Sequence, residues 1–242
     1  NVLREPGMYM KGLEDFVTEN NDYSMSKSLS DEYFEKNETE KGINILKRFI
    51  TNAPYEPSSY QPLVQYFYGR QQYDSSITYL HKVAAIAPYN HSTLGDIANC
   101  YLQKNDKSNA LTYYKKALSY YANGYEYRER IRELENKPAL YKYFPQEDFY
   151  EAIKRDFKKS YDTTHSTYYI SEERNVIVYS EGASELIYSA AIKINNKDGI
   201  DAWKEHSIPY NSYYQRVQML KSEVVKANGS RIPAETNDNQ VV

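Results

Sequence analysis

The chain of 242 residues has room for one or two domains, and a net charge of −3 excludes a basic stripe for nucleic acid or a strongly cationic membrane face. No apolar run approaches the ~18 residues of a bilayer span, and the single cysteine, Cys100, excludes an internal disulfide. The 28 tyrosines against 7 phenylalanines suit amphipathic helices with wet edges, because tyrosine covers apolar surface while keeping a hydroxyl for water.

The chain opens on Asn1 rather than Met, which leads us to expect an upstream segment removed by processing or by the choice of expressed segment. Residues 8–18 place Met10, Leu13, Phe16 and Val17 at helical spacing, so residues 1–22 are predicted to form a leading helix that covers the open end of a helical stack. Three stretches then coincide at a shift of 34 residues. Tyr33, Phe67 and Tyr101 fall together, as do Leu29, Leu63 and Ile97. So do Gly42, Ser76 and Ala110, then Leu46, Leu80 and Tyr114, then Phe49, Val83 and Ala117. A fixed period of this length means stacked helical hairpins, each too small to bury its apolar face alone. The repeats span 23–56, 57–90 and 91–124, with breaks near Lys36-Asn37, Arg70-Gln71 and Lys104-Asn105. The small residues Gly42, Ser76 and Ala110 are expected where the two helices of each hairpin cross.

This spacing resembles the tetratricopeptide repeat over three consecutive units, although Ser26, Tyr60 and Leu94 stand where that family carries Trp. The resemblance implies a right-handed α-solenoid whose first helices line a concave groove for a peptide or protein partner. The groove residues it implies are Lys27, Asp31 and Phe34, then Gln61, Gln65 and Tyr68, then Gly95, Asn99 and Leu102. Some members clamp a C-terminal carboxylate there with Lys, Asn and Arg. Pro62 and Asp96 occupy two of those places here, so no binding of such a tail is expected.

Residues 125–135 are highly charged, with Ile131 and Leu134 as apolar contacts, and read as the capping helix that completes 23–135. Residues 136–165 read as a linker carrying a helix over 146–159, with Phe149, Ile153 and Phe157 on one face. From residue 166 the period changes to 2. Strands are predicted at Ser166–Ser171, Val176–Ser180 and Ser184–Asn195, with Leu186, Tyr188, Ala190, Ile192 and Ile194 sharing a face. The Asn196-Lys197-Asp198-Gly199 turn should lead to a return strand at Ile200–Ile208. A further hairpin is predicted from Val217–Ala227 through Asn228-Gly229 to Arg231–Glu235. The fold class expected is therefore α + β: three hairpins and a cap, then an antiparallel β-sheet or sandwich domain over 166–242.

The runs Ala191–Asn195, Asp198–Ile200, Ser207–Asn211 and Lys226–Ser230 resemble an uncharacterised bacterial β domain that precedes transglutaminase-like domains in cell-envelope proteins. That implies an envelope protein. It also implies that this chain is a fragment ending in the polar stretch Thr236–Gln240, short of the last strands and of any catalytic domain.

Little in the chain carries chemistry. Cys100 lies beside Tyr101 in a repeat helix and reads as a small core residue, since buried cysteine is inert. The four histidines (His81, His91, His165 and His206) form no pair at metal-ligand spacing, and no phosphate or nucleophile motif is present. No catalytic residue, metal or cofactor is expected. The reading is a non-catalytic interaction scaffold. Two alternatives remain: the front part of a transglutaminase or cysteine-peptidase-like enzyme, or a glycan-binding module using Trp203, Tyr210, Tyr213 and Tyr214.

Overall fold

A computed structural model describes residues 6–144, 148–157 and 164–235. Residues 1–5, the start and end of the expected linker helix, and the polar stretch from Thr236 lie outside the described residues. The chain divides into two units, 1–138 and 139–242, and each is taken by itself.

The first unit is a row of antiparallel helices. α1 (Pro6–Glu19) precedes three hairpins: α2 (Tyr23–Glu35) with α3 (Thr39–Asn52), α4 (Gln61–Gly69) with α5 (Tyr73–Ile86), and α6 (His91–Gln103) with α7 (Lys107–Tyr120). A 3-10 turn at Pro57–Tyr60 leads into α4, and α8 (Tyr125–Leu134) closes the row. Hairpin entry follows the period. Asp22, Glu56 and Asn90 each accept a backbone N–H of the first turn at 34-residue intervals, replacing a bond that a helix start otherwise lacks. Asn90 is thus the helix cap of α6.

Hairpin reversal follows it too. Asn37, Gln71 and Asn105 all sit in the left-handed region, at φ 60°, 59° and 60°. The next amide in each case returns to the helix, Glu38 to the Tyr33 carbonyl, Gln72 to Phe67 and Asp106 to Tyr101. A fourth such turn, at Asn136 (φ 53°), comes three residues early because α8 is about one turn shorter than α2 or α6. α8 thus ends in the same kind of left-handed turn as the first helix of each hairpin. Asparagine tolerates this conformation better than glutamine. Gln71→Gly should consequently raise stability by about 0.5–1 kcal/mol, while Asn105→Gly should change it less. Paired chemical-denaturation midpoints check this.

The core repeats with the same step. Leu29, Leu63 and Ile97 are fully buried, and Leu46, Leu80 and Tyr114 nearly so. Gly42 marks the closest crossing, since a Cβ there would stand 2.5 Å from the Phe34 ring. Ring pairs recur between the helices of a hairpin, Phe67 on Tyr79 at 5.7 Å and Tyr101 on Tyr113 at 5.6 Å, both stacked. At the open end, Met10, Leu13 and Val17 of α1 pack on Leu29 and Tyr33. Phe16, expected on that face, is exposed instead, because the contact follows the 10, 13, 17 stripe.

Burial pushes the phenols of Tyr79, Tyr113, Tyr114 and Tyr127 up. Tyr33, which is buried and donates to Glu14 at 2.5 Å, is pushed up to about 12. The unfolded chain sheds these protons first, near pH ~10. Stability should hold below that value and fall as pH rises through the folded-state values. Thermal melts taken alongside tyrosinate absorbance should show ionisation lagging behind that of free tyrosine until the helices unfold.

The second unit contains α9 (Phe149–Phe157), the strands β1 (Thr167–Val178) and β2 (Ser184–Ile194), α10 (Lys197–Trp203), and the short strands β3 (Glu223–Val225) and β4 (Arg231–Pro233). β1 pairs antiparallel with β2, and β3 with β4, giving two separate two-stranded sheets among the described residues. A sandwich is not formed by these residues. The two short strands expected at 166–180 are one long strand, whose register shifts between Tyr169 and Ser171. That irregularity makes the apolar alternation read as broken. Its turn to β2 uses Gly182 at φ 90°, with Tyr179 N–H donating to the Ala183 carbonyl.

The predicted return strand at Ile200–Ile208 is overturned. Asn196 accepts from the Gly199 amide at 3.0 Å and so caps a helix, α10, instead of turning a hairpin. Gly199 is required for close approach, because a Cβ would fall 2.4 Å from the Ser166 carbonyl oxygen. The strand expected over Val217–Ala227 shrinks to Glu223–Val225. Its hairpin through Asn228-Gly229 forms as expected, with Gly229 N–H donating to the Lys226 carbonyl at 2.8 Å.

α9 buries Ala152 and Asp156 rather than Phe157, which is exposed. Asp156 accepts from Tyr168 Oη at 2.8 Å and from Lys193 Nζ at 3.0 Å. These contacts select the sheet face that carries Lys193 and buried Ala191. The apolar face with Val176, Leu186, Tyr188 and Ile194 is consequently the exposed one, the reverse of what a hydrophobic stripe ordinarily does.

Candidate functional site

The first helices of successive repeats touch one another. Phe34 of α2 stacks on Tyr66 of α4 with centroids 4.0 Å apart and planes at 20°. Tyr127 of α8 lies over Gly95 of α6, where a Cβ would stand 2.8 Å from its ring. Tyr127 Oη also bonds the His91 carbonyl at 3.2 Å, and the His91 ring stacks on Tyr121 at 4.1 Å. The repeats thereby present a continuous face made from α2, α4, α6 and α8.

The nine residues expected on that face divide in two. Phe34, Gly95 and Leu102 serve packing: Phe34 through Tyr66 and Gly42, Gly95 by admitting Tyr127, and Leu102 against the Ala98, Ala110 and Tyr114 cluster. The other six present polar or aromatic groups. Lys27 and Asp31 form an ion pair at 2.6 Å, both about half exposed. Gln61 and Gln65 are exposed. Tyr68 is 39% exposed and meets Tyr73 edge-on at 5.5 Å. Asn99 is exposed, with its side-chain oxygen held by Tyr114 Oη at 2.6 Å, which leaves its amide N–H groups turned outward as donors.

Asp96 is the residue that sequence reasoning weighed only as a replacement for a basic clamp residue. It is half-buried and makes no hydrogen bond or ion pair among the described residues. Burial pushes its carboxyl up, as it does a carboxylate given no compensating partner. Its charge acts on Tyr68, Tyr114 and Tyr127, adding to the rise that burial causes in each phenol. Asp96 thus stands among tyrosines from three neighbouring helices. Its place in the 34-residue frame, the position of Pro62, was the signal available beforehand.

Cys100 is fully buried and its thiol is pushed up by that burial, with the Sγ donating to Ser76 Oγ at 3.7 Å. A thiol held protonated in a closed core is a poor nucleophile. Among the described residues no His, Cys, Asp and Glu side chains gather into a metal-binding group, and no helix is long and apolar enough to cross a membrane. In the second unit Trp203 stacks on His206 at 4.8 Å and meets Tyr169 edge-on at 6.4 Å, while Tyr213 is 92% exposed.

By its own geometry the first unit is a stack of helical hairpins of the tetratricopeptide type, followed in sequence by small antiparallel sheets, so the fold class is α + β. A family model described as a domain of unknown function with a solved structure (DUF3857) matches residues 180–242. No curated protein matches the sequence. Similar solved structures include the N-terminal domain of stress-induced protein-1 (STI-1) from C. elegans, 17% identical over 46% of this chain and 91% of its own, with a TM-score of 0.41. MamA from Desulfovibrio magneticus RS-1 is 13% identical over 54% of this chain and 75% of its own, with a TM-score of 0.42. The first TPR of Spaghetti (RPAP3), bound to the HSP90 peptide SRMEEVD, is 13% identical over 48% of this chain and 94% of its own, with a TM-score of 0.39.

Proposed function

We propose that this chain is a non-catalytic interaction scaffold, in which the first-helix face of the repeats holds an extended segment of a protein partner and the second unit is an accessory β domain of a bacterial envelope protein. The observation that carries the reading is the exposure of Gln61, Gln65 and Tyr68 on α4 and of Asn99 on α6, the first helices of adjoining repeats. Side-chain amides at such spacing pair with the backbone of an extended peptide, and the rings between them cover its apolar side chains. The match at 180–242 supports a distinct accessory domain.

A photo-crosslinking amino acid at position 65 tests the reading. In the full chain it should give discrete, saturable adducts with a library of short peptides, whereas the same group at exposed Lys116 of α7 should give none. Equal labelling at both positions would remove it. Peptides with a free acidic C-terminus should label no better than their amides, because Pro62 and Asp96 supply neither donor of a carboxylate clamp.

A further inference from the structure

The repeat face carries a charge that nothing within it balances. Lys27 is used by Asp31, and Arg130 of α8 is used by Glu133 at 2.9 Å. Asp96 has no such counterpart among the described residues and is partly withdrawn from water. A half-buried carboxylate with no partner destabilises the fold that holds it, so its place on this face calls for a ligand that restores the balance. The surroundings specify the ligand's form. Tyr68 of α4 is 39% exposed, and Tyr127 of α8 covers Gly95, the residue before Asp96. A carboxylate next to a tyrosine ring suits the head of a Lys or Arg side chain, whose charge pairs with the oxygens while its stem lies on the ring. An acidic or phosphorylated segment would meet repulsion at the same place.

We propose that the segment held on this face is basic, with one Lys or Arg side chain seated against Asp96 beside Tyr127. The inference rests on the groove reading given under Proposed function and adds the chemistry of its central position.

The test uses the full chain and short peptides blocked at both ends, with degenerate flanks and a fixed central Lys, Arg, norleucine or Glu. Binding is read by titration and by amide chemical shifts over Gly95–Asn99. Central Lys or Arg should bind about 10–100-fold more tightly than norleucine, and central Glu should bind more weakly than norleucine. In Asp96→Asn the advantage of Lys and Arg should vanish while norleucine peptides bind as before. The thermal midpoint of that variant should hold or rise, since an uncompensated charge is removed; a purely structural role for Asp96 would lower it. Peptides that bind with no preference for a central cation, or a preference that survives Asp96→Asn, would overturn the inference and leave the groove reading standing. If no peptide moves the Gly95–Asn99 amides or labels position 65, both fall together.

Discussion

Leu80→Ala is expected to destabilise the repeat unit by about 2–5 kcal/mol. Leu80 is 2% exposed and packs with Val64, Ile77, Ile97 and Cys100, which belong to three successive helices. Truncation opens a cavity that none of those helices can close alone, since moving one separates it from its other neighbour. Gln72→Ala is the matched control. Gln72 is exposed, and its side chain makes no capping bond to α5, so its loss should stay within about 0.5 kcal/mol. Denaturant midpoints for both variants, at constant slope, decide the assignment; equal midpoints would mean that Leu80 is not at a crossing.

The second large effect concerns the β unit. Asp156→Ala should cost about 2–4 kcal/mol, because Lys193 and Tyr168 both lose the carboxylate that satisfies them. A fully buried ion pair broken on one side costs ~3–5 kcal/mol. The smaller range applies because the Lys193 side chain is 22% exposed against 4% for Asp156, so water reaches the cation left behind. Asp156→Asn, which can still accept from Tyr168, should recover about half of the loss. Amide hydrogen exchange over β1 and β2 is the direct readout: protection should fall there in Asp156→Ala and stay unchanged in α2 to α8.

The repeats were legible in the sequence because period and burial coincide. Leu29, Leu63 and Ile97, then Gly42, Ser76 and Ala110, mark the inside of each hairpin by size and polarity alone. The caps and the left-handed turns carry the same period in a less visible form, since asparagine and glutamine both serve at the turns and three different residues serve at the caps. The β unit was harder to read for three physical reasons. A bulge hid the continuity of β1. The Asn196–Gly199 run has the composition of a turn, yet Asn196 caps a helix. Which face of β2 is covered depends on Asp156, a residue 37 positions from its partner Lys193, and no local pattern encodes that pairing. On the candidate site, the sequence reading named nine residues of the first helices, of which Lys27, Asp31, Gln61, Gln65, Tyr68 and Asn99 keep accessible groups. Spacing could not separate Phe34, Gly95 and Leu102, which spend their surface on neighbouring helices, from residues left free for a ligand. It also gave no sign that Asp96 lacks a counter-charge, because that depends on what the adjoining helices fail to provide.

The recurrence of helix caps and left-handed turns at one interval makes the repeat unit interchangeable. Excision of residues 57–90 would join Glu56 to His91, setting a capping carboxylate before α6 where Asn90 now stands, with every later crossing still in step. A chain spliced in that way would keep its architecture with one module fewer, whereas a cut that is not a whole number of periods would rotate the downstream helices away from their contacts. A repeat can therefore be added or removed as a whole without redesigning either end of the stack.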